Sequence, residues 1–392
     1  MTRPTYYEFF AGGGMAQAGL GPYWNCLFAN DFDQMKAATY SANWGADHLV
    51  CQDVAKIRTS ELPGTAHLVW ASFPCQDLSL AGSYLGLGNE DSSAMTRSGT
   101  FWPFWALIRS LKKEHRAPPI IVLENVCGVL TSREGKDFSA ICAALATSDY
   151  RFGAVVIDAE RFVPQSRQRV FFIAVDEECQ LPENVSSKFA TDEWHTSSLV
   201  SAFSQLPENI KKKWVWWNPA KPAKRDIELS DLIDDSPVGV TWDSPEETHK
   251  LLGMMTPLNF QKVKRAQASG IRTVGCLYKR TRAGKDGVKH QRAEVRFDGV
   301  AGCLRTPGGG SSRQTILLIN GALVKSRLLS PREAARLMGL HEDYLLPLRY
   351  NDAYRVAGDG VCVPVVRHLA NSLLEPIFDL LQLPEQVLAL TE

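Results

Sequence analysis

The 392-residue sequence lacks several patterns that would assign it quickly to a protein class. Its nine cysteines include no Cys-x-x-Cys pair, and no His-Glu-x-x-His motif occurs, which argues against a disulfide framework and against a zinc site. No window approaches the ~18 consecutive apolar residues of a membrane span, and the N-terminal residues lack the apolar core of a secretory signal. We therefore expect a cytoplasmic protein of a reducing compartment, without a membrane segment.

Two nucleotide-binding signatures are also missing. The glycine-rich turn near the N-terminus does not read G-x-G-x-x-G, which disfavours NAD, and no G-x-x-x-x-G-K-[ST] phosphate loop occurs. Low-complexity tracts are absent, and the content of 45% hydrophobic and 22% charged residues is ordinary for a globular protein. At roughly 100–200 residues per domain, the length predicts two domains.

The formal net charge of zero conceals an uneven distribution of charge. Residues 250–325 contain fifteen Lys and Arg against three acids, a net charge of +12, which leaves −12 for the remainder. A strongly basic segment beside an acidic remainder is the electrostatic footprint expected of a nucleic-acid contact surface. A merely solvated face is the alternative, and it explains a short run of lysines better than a sustained excess.

The N-terminal residues predict the start of a dinucleotide-type fold. Residues 6–10 form a short aromatic strand candidate that runs directly into a glycine-rich turn and a helix candidate. Glycine lets a backbone approach a ligand closely, and the N-terminus of the helix offers unpaired N–H groups. The candidate cofactor-binding residues of this turn are Phe10, Ala11, Gly12 and Gly14.

Acidic residues follow the next two strand candidates. Asp31 ends the strand at residues 25–30, at about the spacing from the turn where an acid commonly binds a ribose. Asp53 follows the strand at residues 49–52, where it could accept from an adenine amino group. Either acid alone is more often a helix cap or a surface charge. We include both as cofactor-site candidates, together with their neighbours Phe32 and Val54.

Cys75 lies in a loop that leaves the apolar strand candidate 68–71, and Pro74 before it restricts the backbone. A free cysteine is usually a small buried hydrophobe, but this position at a sheet edge suits a nucleophile. Glu124 ends the apolar strand candidate 120–123. Arg167 and Arg169 alternate with period two, so an extended backbone would direct both to one side, as a cationic site requires.

The strand and helix alternation lapses between about residues 180 and 320, so we predict a second domain there. The pattern predicts an α/β fold: a Rossmann-like domain with a mostly parallel sheet, plus a smaller irregular domain. We place the first domain at residues 1–178 and 350–392 and the second at residues 179–349. Ser330 and Glu333 predict a capping box that begins a helix at Pro331.

Together these segments resemble the cytosine-C5 DNA methyltransferase family, in the order of that family's motifs along nearly the whole chain. The segments that carry the resemblance are residues 9–14, 73–76, 124–126, 164–169, 327–339 and 354–364. The resemblance implies that the first domain is a Rossmann-like, S-adenosylmethionine-dependent methyltransferase domain and that the second is a target-recognition domain. It implies duplex DNA as substrate, in a bacterial cytoplasm or nucleoid. It implies a monomer, with a cognate restriction endonuclease acting separately as a candidate partner.

The resemblance also implies roles for individual residues. Cys75 would add to C6 of a flipped-out cytosine, which turns the ring into an enamine able to take the methyl group at C5. Glu124 would bind the ring N3 and amino group, and Arg167 and Arg169 would hold the nucleotide. Further cofactor residues would be Pro74, Asp359 and Val361. DNA-binding residues would be Gln76, Ser79, Gln165, Arg305 and Arg313.

One residue departs from the family pattern: Asp359 stands where the family usually has asparagine, and an aspartate accepts hydrogen bonds but does not donate as an amide does. Three alternatives stay open from the sequence. A related enzyme acting on RNA and a catalytically silent DNA-binding relative fit the same motifs. An NAD-type oxidoreductase would need a glycine fingerprint that the chain lacks.

Overall fold

The computed structural model describes residues 3–74, 98–283, 289–305 and 313–382. The chain divides into two compact units. The first unit comprises residues 1–158, 168–223 and 361–392, and the second comprises residues 159–167 and 224–360. Within the described part of the chain, no helix is both long enough and apolar enough to cross a bilayer.

The described strands are, in chain order, β1 (Thr5–Phe9), β2 (Asn25–Asp31), β3 (Leu49–Cys51), β4 (Leu68–Ala71), β5 (Ile120–Val126), β6 (Tyr150–Asp158), β7 (Gln168–Asp176), β8 (Ser186–Ser187), β9 (Trp216–Trp217), β10 (Thr273–Ala283), β11 (Lys289–Arg296), β12 (Thr315–Asn320) and β13 (Leu323–Leu328). The described α-helices are α1 (Met15–Leu20), α2 (Gln34–Trp44), α3 (Phe101–Lys113), α4 (Lys136–Ala146), α5 (Ser197–Ser204), α6 (Glu208–Lys211), α7 (Pro245–Gly253), α8 (Pro257–Ala268), α9 (Pro331–Leu337), α10 (Tyr350–Asp359), α11 (Val363–Leu369) and α12 (Glu375–Leu381).

A seven-stranded sheet in the order β3-β2-β1-β4-β5-β7-β6 forms the centre of the first unit. β1 to β5 pair in parallel, and β7 runs antiparallel to both of its neighbours. The middle strands β4 and β5 are apolar runs whose residues are fully buried from Leu68 to Ala71 and from Ile120 to Leu123. Such runs are typical of strands covered on both faces. The predicted mostly parallel α/β sheet is confirmed.

Residues 213–217 extend the β6 edge of this sheet. The Phe152 N–H donates to Lys213 O at 2.9 Å, and the Val215 N–H donates to Phe152 O at 2.7 Å. A Cβ on Gly153 would lie 1.8 Å from Val215 O, so only glycine permits this approach. Trp217 is fully buried beside it. Residues 179–223 therefore pack with the first unit, whereas the predicted domain boundary fell at residue 178.

The second unit is more regular than the expected irregular domain, because it contains a four-stranded antiparallel sheet in the order β11-β10-β12-β13. β10 and β11 were not predicted from the sequence, because the alternation of apolar and polar residues in them is interrupted by glycine and by charged residues on both faces. Residues 350–360 also belong to this unit rather than to the first. The assignment of target recognition to the second unit stays a prediction.

The predicted capping box at the start of α9 is confirmed. The Ser330 hydroxyl accepts from the Glu333 N–H at 3.2 Å, and the Glu333 carboxylate accepts from the Ser330 N–H at 2.8 Å. The same carboxylate pairs with Arg327 at 2.6 Å, and both side chains are fully buried. This segment therefore begins with a buried ion pair.

Candidate active site

The glycine-rich turn between β1 and α1 has left-handed backbone at three residues. Phe10, Gly12 and Gly14 have φ values of 57°, 57° and 78°. Residues other than glycine rarely adopt this backbone conformation. A Cβ on Gly14 would lie 2.2 Å from the Trp44 indole nitrogen, whereas a Cβ on Gly12 would meet no atom within 4 Å in the part of the chain that the structure describes. The turn is thus packed against α2 at Gly14 and open at Gly12.

Asp31, at the end of β2, holds this turn in place. Its Oδ2 accepts from the Gly12 N–H at 2.8 Å, and its Oδ1 accepts from the Asp33 N–H at 2.8 Å. The side chain is buried, and burial raises the pKa of the Asp31 carboxyl above its ordinary value, against the lowering effects of Lys36 and the two backbone N–H groups. The Asp31 carboxyl thus ties the end of β2 to the glycine turn.

Phe32 follows Asp31 and exposes 67% of its surface. Asp53 is exposed and caps the short helix that starts at Val54, where it accepts from the Ala55 N–H at 3.0 Å. Val54 itself is buried. The three cofactor-site candidates after β2 and β3 therefore offer an exposed ring, an exposed carboxylate and a buried apolar contact.

The strand order places these residues where open α/β sheets bind ligands. From β1 the chain proceeds to β2 and β3 on one side and to β4 and β5 on the other, so the direction of winding reverses between β1 and β4. Ligands bind in the crevice beyond the carboxyl ends of strands at such a switch point. The open space at Gly12 and the exposed ring of Phe32 lie after β1 and β2. These features fit S-adenosylmethionine.

Glu124, near the end of β5, forms an ion pair with Arg169 of β7. Arg169 Nε lies 3.1 Å from Glu124 Oε1, and the two side chains are 15% and 9% exposed. The pairing follows from the antiparallel register, which sets Val126 opposite Arg169. Glu124 and Arg169 therefore form a largely buried, hydrogen-bonded pair at one end of the sheet, as a polar substrate group would require.

Asn125 joins this pair to the next strand end. Its side-chain N–H donates to Phe73 O at 3.1 Å, and it is buried. The contact fixes the backbone directly before Pro74, which is half-buried. The candidate nucleophile Cys75 and the candidate DNA contacts Gln76 and Ser79 lie outside the described residues. The role of Asn125 could not be predicted from the sequence, because an amide reaching a neighbouring strand leaves no periodic signal.

Arg167 and Gln165 have partners within the second unit. The Arg167 guanidinium is 3% exposed and donates to Gly358 O at 3.0 Å and Gly360 O at 2.7 Å. Gln165 is fully buried, donating to Leu337 O at 2.8 Å. In this structure neither side chain is accessible to DNA. Arg167 immediately precedes β7, so the period-two alternation that grouped it with Arg169 does not extend to it.

The remaining candidates have mixed surroundings. Arg305 is exposed, and the glycine turn that follows it lies outside the described residues. Arg313 stacks on the Tyr350 ring, with its guanidinium carbon 5.2 Å from the ring centroid, and donates to the Asn351 side chain. Asp359 ends α10 and lies 3.6 Å from the Arg355 guanidinium. Val361 is buried in the first unit.

Sequence comparison identifies similar proteins over the length of the chain. The model of the C-5 cytosine-specific DNA methylase family matches residues 5–375. Type II methyltransferase M.BsuFI of Bacillus subtilis is 25% identical over 373 residues, which cover 95% of this chain and 72% of that protein. Type II methyltransferase M.HhaI of Haemophilus parahaemolyticus is 24% identical over 376 residues, which cover 95% of each.

Solved structures share the fold. The Dnmt2 methyltransferase of S. pombe superposes with a TM-score of 0.55 at 16% identity, covering 96% of this chain and 99% of that chain. The Entamoeba histolytica methyltransferase EhMeth gives a TM-score of 0.53 at 15% identity, covering 98% and 100%. These likenesses extend through both units, in agreement with the family model. The chain belongs to the C-5 cytosine-specific DNA methylase family.

Proposed function

We propose that this protein transfers a methyl group from S-adenosylmethionine to C5 of a cytosine flipped out of duplex DNA. The observation that carries the proposal is the Glu124–Arg169 pair at the end of β5. Asn125 beside it holds Phe73, and the chain then proceeds through Pro74 to Cys75. A carboxyl group and a guanidinium thus meet at the edge of the sheet from which the chain leads into Cys75.

In the proposed reaction the Cys75 thiolate attacks C6 of cytosine, so that a sulfur–carbon bond forms and electron density moves to C5. Glu124 holds a proton at the ring N3, which stabilises the charge that develops on the ring, and Arg169 fixes the orientation of Glu124. S-adenosylmethionine supplies the electrophilic methyl group when it is bound. A base, with water as one candidate, then removes the C5 proton, and the sulfur–C6 bond breaks to restore the thiolate.

The residues that would hold the cofactor surround the switch point. The open backbone of the turn at Gly12 would receive the amino-acid portion, Asp31 would accept from the ribose hydroxyls, and the exposed ring of Phe32 would stack on the adenine. Asp53 would accept from the adenine amino group. Each of these groups is accessible or at the sheet edge, and Gly12 N–H and Asp31 are already joined at 2.8 Å.

The hairpin formed by β10 and β11 is the proposed DNA contact in the second unit. Its register sets Arg280 directly opposite Arg292, and the exposed side chains of Lys279 and Lys289 lie on the same hairpin. Like charges directly opposite one another destabilise a strand pair. Glu294 offsets part of this repulsion, because its carboxylate lies 3.3 Å from Arg280 Nε. A bound phosphate backbone would relieve the remainder, so we assign the hairpin to phosphate contacts and keep Arg305 and Arg313 as candidate base readers.

The relatives named Type II methyltransferases support the restriction-modification role, and we propose a separate endonuclease as the functional partner and a monomeric enzyme. Transfer of a labelled methyl group to DNA and to tRNA tests the substrate class. We expect DNA to be labelled at cytosine C5. Labelling of tRNA alone would establish that the enzyme acts on RNA. If neither nucleic acid is labelled but DNA is still bound, the protein is the catalytically silent DNA-binding relative.

The covalent step has its own test. We expect Cys75→Ser to reduce methyl transfer more than about a hundredfold while DNA binding is largely retained. DNA containing 5-fluorocytosine in the target should trap wild-type enzyme as a covalent adduct, because fluorine is not eliminated as a proton is. A Cys75→Ser protein that forms the same adduct would contradict the assignment of Cys75.

A further inference from the structure

Gln165 and Arg167 are two buried polar residues that the reaction proposed above does not use. Gln165 is fully buried and Arg167 is 3% exposed, and both lie in the stretch at residues 159–167 that belongs to the second unit. Burying a guanidinium or an amide is costly unless hydrogen bonds replace the lost hydration. The contacts with nucleic acid predicted for these residues need exposed side chains, so their burial requires another role.

The backbone of this stretch pairs with the segment at residues 301–305. The Ala301 N–H donates to Pro164 O at 2.8 Å, and the Ser166 N–H donates to Ala301 O at 2.9 Å. Gln165 and Ala301 thus form a parallel β-bridge. The segment that leads into the candidate base reader at position 305 is therefore aligned along the stretch that carries Gln165.

The Gln165 amide holds the backbone of Leu304. Its Oε1 accepts from the Leu304 N–H at 3.1 Å, and its Nε2 donates to Leu337 O at 2.8 Å. These partners determine which amide atom faces which group, because a backbone N–H only donates and a carbonyl only accepts. Leu337 is the last residue of α9 and is fully buried. The amide thus ties the residue before Arg305 to the end of a buried helix.

The Arg167 guanidinium contacts the other side of the same residue. One terminal nitrogen lies 3.4 Å from Leu304 O, and the other donates to Gly358 O at 3.0 Å and to Gly360 O at 2.7 Å. The Leu304 carbonyl and the Arg305 N–H share one planar peptide group, so this contact limits the direction in which the Arg305 side chain leaves the backbone. A guanidinium bridges the two sets of carbonyls because its donors lie on separate nitrogens.

We infer that Gln165 and Arg167 are positioning residues of DNA-site recognition: they fix the backbone of Leu304 so that the exposed Arg305 side chain reads one base pair of the target. The inference rests on the proposed function, because it takes Arg305 as a base reader. An arginine recognises guanine by two parallel hydrogen bonds, which require a particular direction of the side chain. Its attraction to the phosphates needs only its charge. Loss of the support should therefore relax site choice more than it weakens DNA binding.

The test compares the site choice of wild-type protein with that of Gln165→Met, Arg167→Lys and Arg305→Ala. Methionine fills the space of glutamine without its hydrogen bonds, and lysine keeps the charge of Arg167 but offers a single nitrogen. Gln168→Ala is the control, because Gln168 is an exposed glutamine next to Arg167. Sequencing of DNA methylated by the wild-type protein defines the target. Duplexes with that target, or with each single base-pair change, then serve as substrates for measurement of kcat/KM.

We expect Arg305→Ala to relax the target at one base pair, so that the ratio of kcat/KM for the target to that for the changed duplex falls about tenfold. Gln165→Met and Arg167→Lys should lower the same ratio at the same base pair, whereas Gln168→Ala should leave it unchanged. Gln165→Met added to Arg305→Ala should bring no further loss there, because Gln165 acts through Arg305.

A merely structural role would lower turnover on all duplexes alike. Wild-type ratios in Gln165→Met and Arg167→Lys, additive losses in the double variant, or an unchanged target in Arg305→Ala would each overturn the inference and leave the proposed function intact. Absence of methyl transfer to DNA by the wild-type protein would refute the proposed function and with it this inference. If neither Gln165→Met nor Arg167→Lys folds, hydrogen exchange of the wild-type protein decides: a protected Leu304 N–H supports the inference, and one that exchanges like an exposed amide overturns it.

Discussion

Gly12 and Gly14 offer a matched pair of substitutions that separate cofactor binding from folding. Both residues have left-handed backbone, so alanine at either position costs ~1–2 kcal/mol of stability. At Gly12 the added methyl group meets no atom of the described residues within 4 Å, and no further cost is expected. At Gly14 it would lie 2.2 Å from the Trp44 indole nitrogen, which itself donates to Gly13 O at 3.1 Å. Overpacking of this kind adds ~1–3 kcal/mol.

The two variants should differ in the opposite sense in cofactor binding: Gly12→Ala should be the more stable variant but should lose more cofactor affinity. The Gly12 methyl group would occupy the open space that we assign to S-adenosylmethionine, so we expect Gly12→Ala to weaken cofactor binding at least about tenfold while remaining folded. Urea unfolding measures the stability of each variant, and calorimetric titration measures its cofactor affinity. Gly14→Ala should be the less stable protein, and Trp44→Ala in the same chain should recover part of that loss.

Two results would refute this reasoning. Wild-type cofactor affinity in Gly12→Ala would show that the open space at the turn is not where the cofactor binds. Equal stability of the two alanine variants would show that the contact between Trp44 and the turn is not retained in solution. Because the substitutions introduce the same methyl group two residues apart, differences in the unfolded state contribute little to the comparison.

Three further predictions concern other parts of the chain. Asp31→Ala should raise the dissociation constant for S-adenosylmethionine with a smaller effect on DNA affinity, and equal losses in the two binding titrations would mean that Asp31 is structural. Arg327→Met leaves the buried Glu333 carboxylate without its partner, so urea unfolding should show a loss of ~3–5 kcal/mol, and a loss below ~1 kcal/mol would contradict the pairing. Arg292→Ala should weaken binding to all DNA sequences and reduce the log–log salt slope by about one without changing the methylated site, and a slope unchanged in salt titrations would exclude a phosphate contact.

Much of the first unit could be predicted from the sequence because its strands are buried on both faces. The runs at residues 68–71 and 120–123 are continuous and apolar, as such strands must be, so their ends could be located closely. Glu124 was identified because it follows such a run. Asp31 was identified because it ends the strand candidate that follows the glycine turn at the spacing of a ribose-binding acid. The glycine turn was recognised for a similar reason, since left-handed backbone at Gly12 and Gly14 demands that residue type.

The parts that could not be predicted depend on contacts between distant segments. The extent of the first unit was missed because residues 213–217 join the sheet through backbone hydrogen bonds to Phe152, and a backbone hydrogen bond places no constraint on side-chain pattern. The lapse of strand and helix alternation after about residue 180 suggested a second domain there, although Trp217 is buried against the sheet. Arg167 was grouped with Arg169 by their spacing alone. The buried contacts of Arg167 with Gly358 and Gly360 could not be inferred from that spacing.

The carboxyl groups of the first unit show why the position of a functional residue could be predicted from the sequence while its chemical role could not. Glu124 is paired with the Arg169 guanidinium, Asp31 accepts from two backbone N–H groups, and Glu8 is buried in the middle of β1. Their places along the strands can be read from the apolar runs, but their partners are set by strand order and register, because β7 reaches Glu124 only by inserting next to β5. Since the partner determines whether a buried carboxyl keeps its charge, assigning chemistry to each of these acids required the sheet topology as well as the sequence.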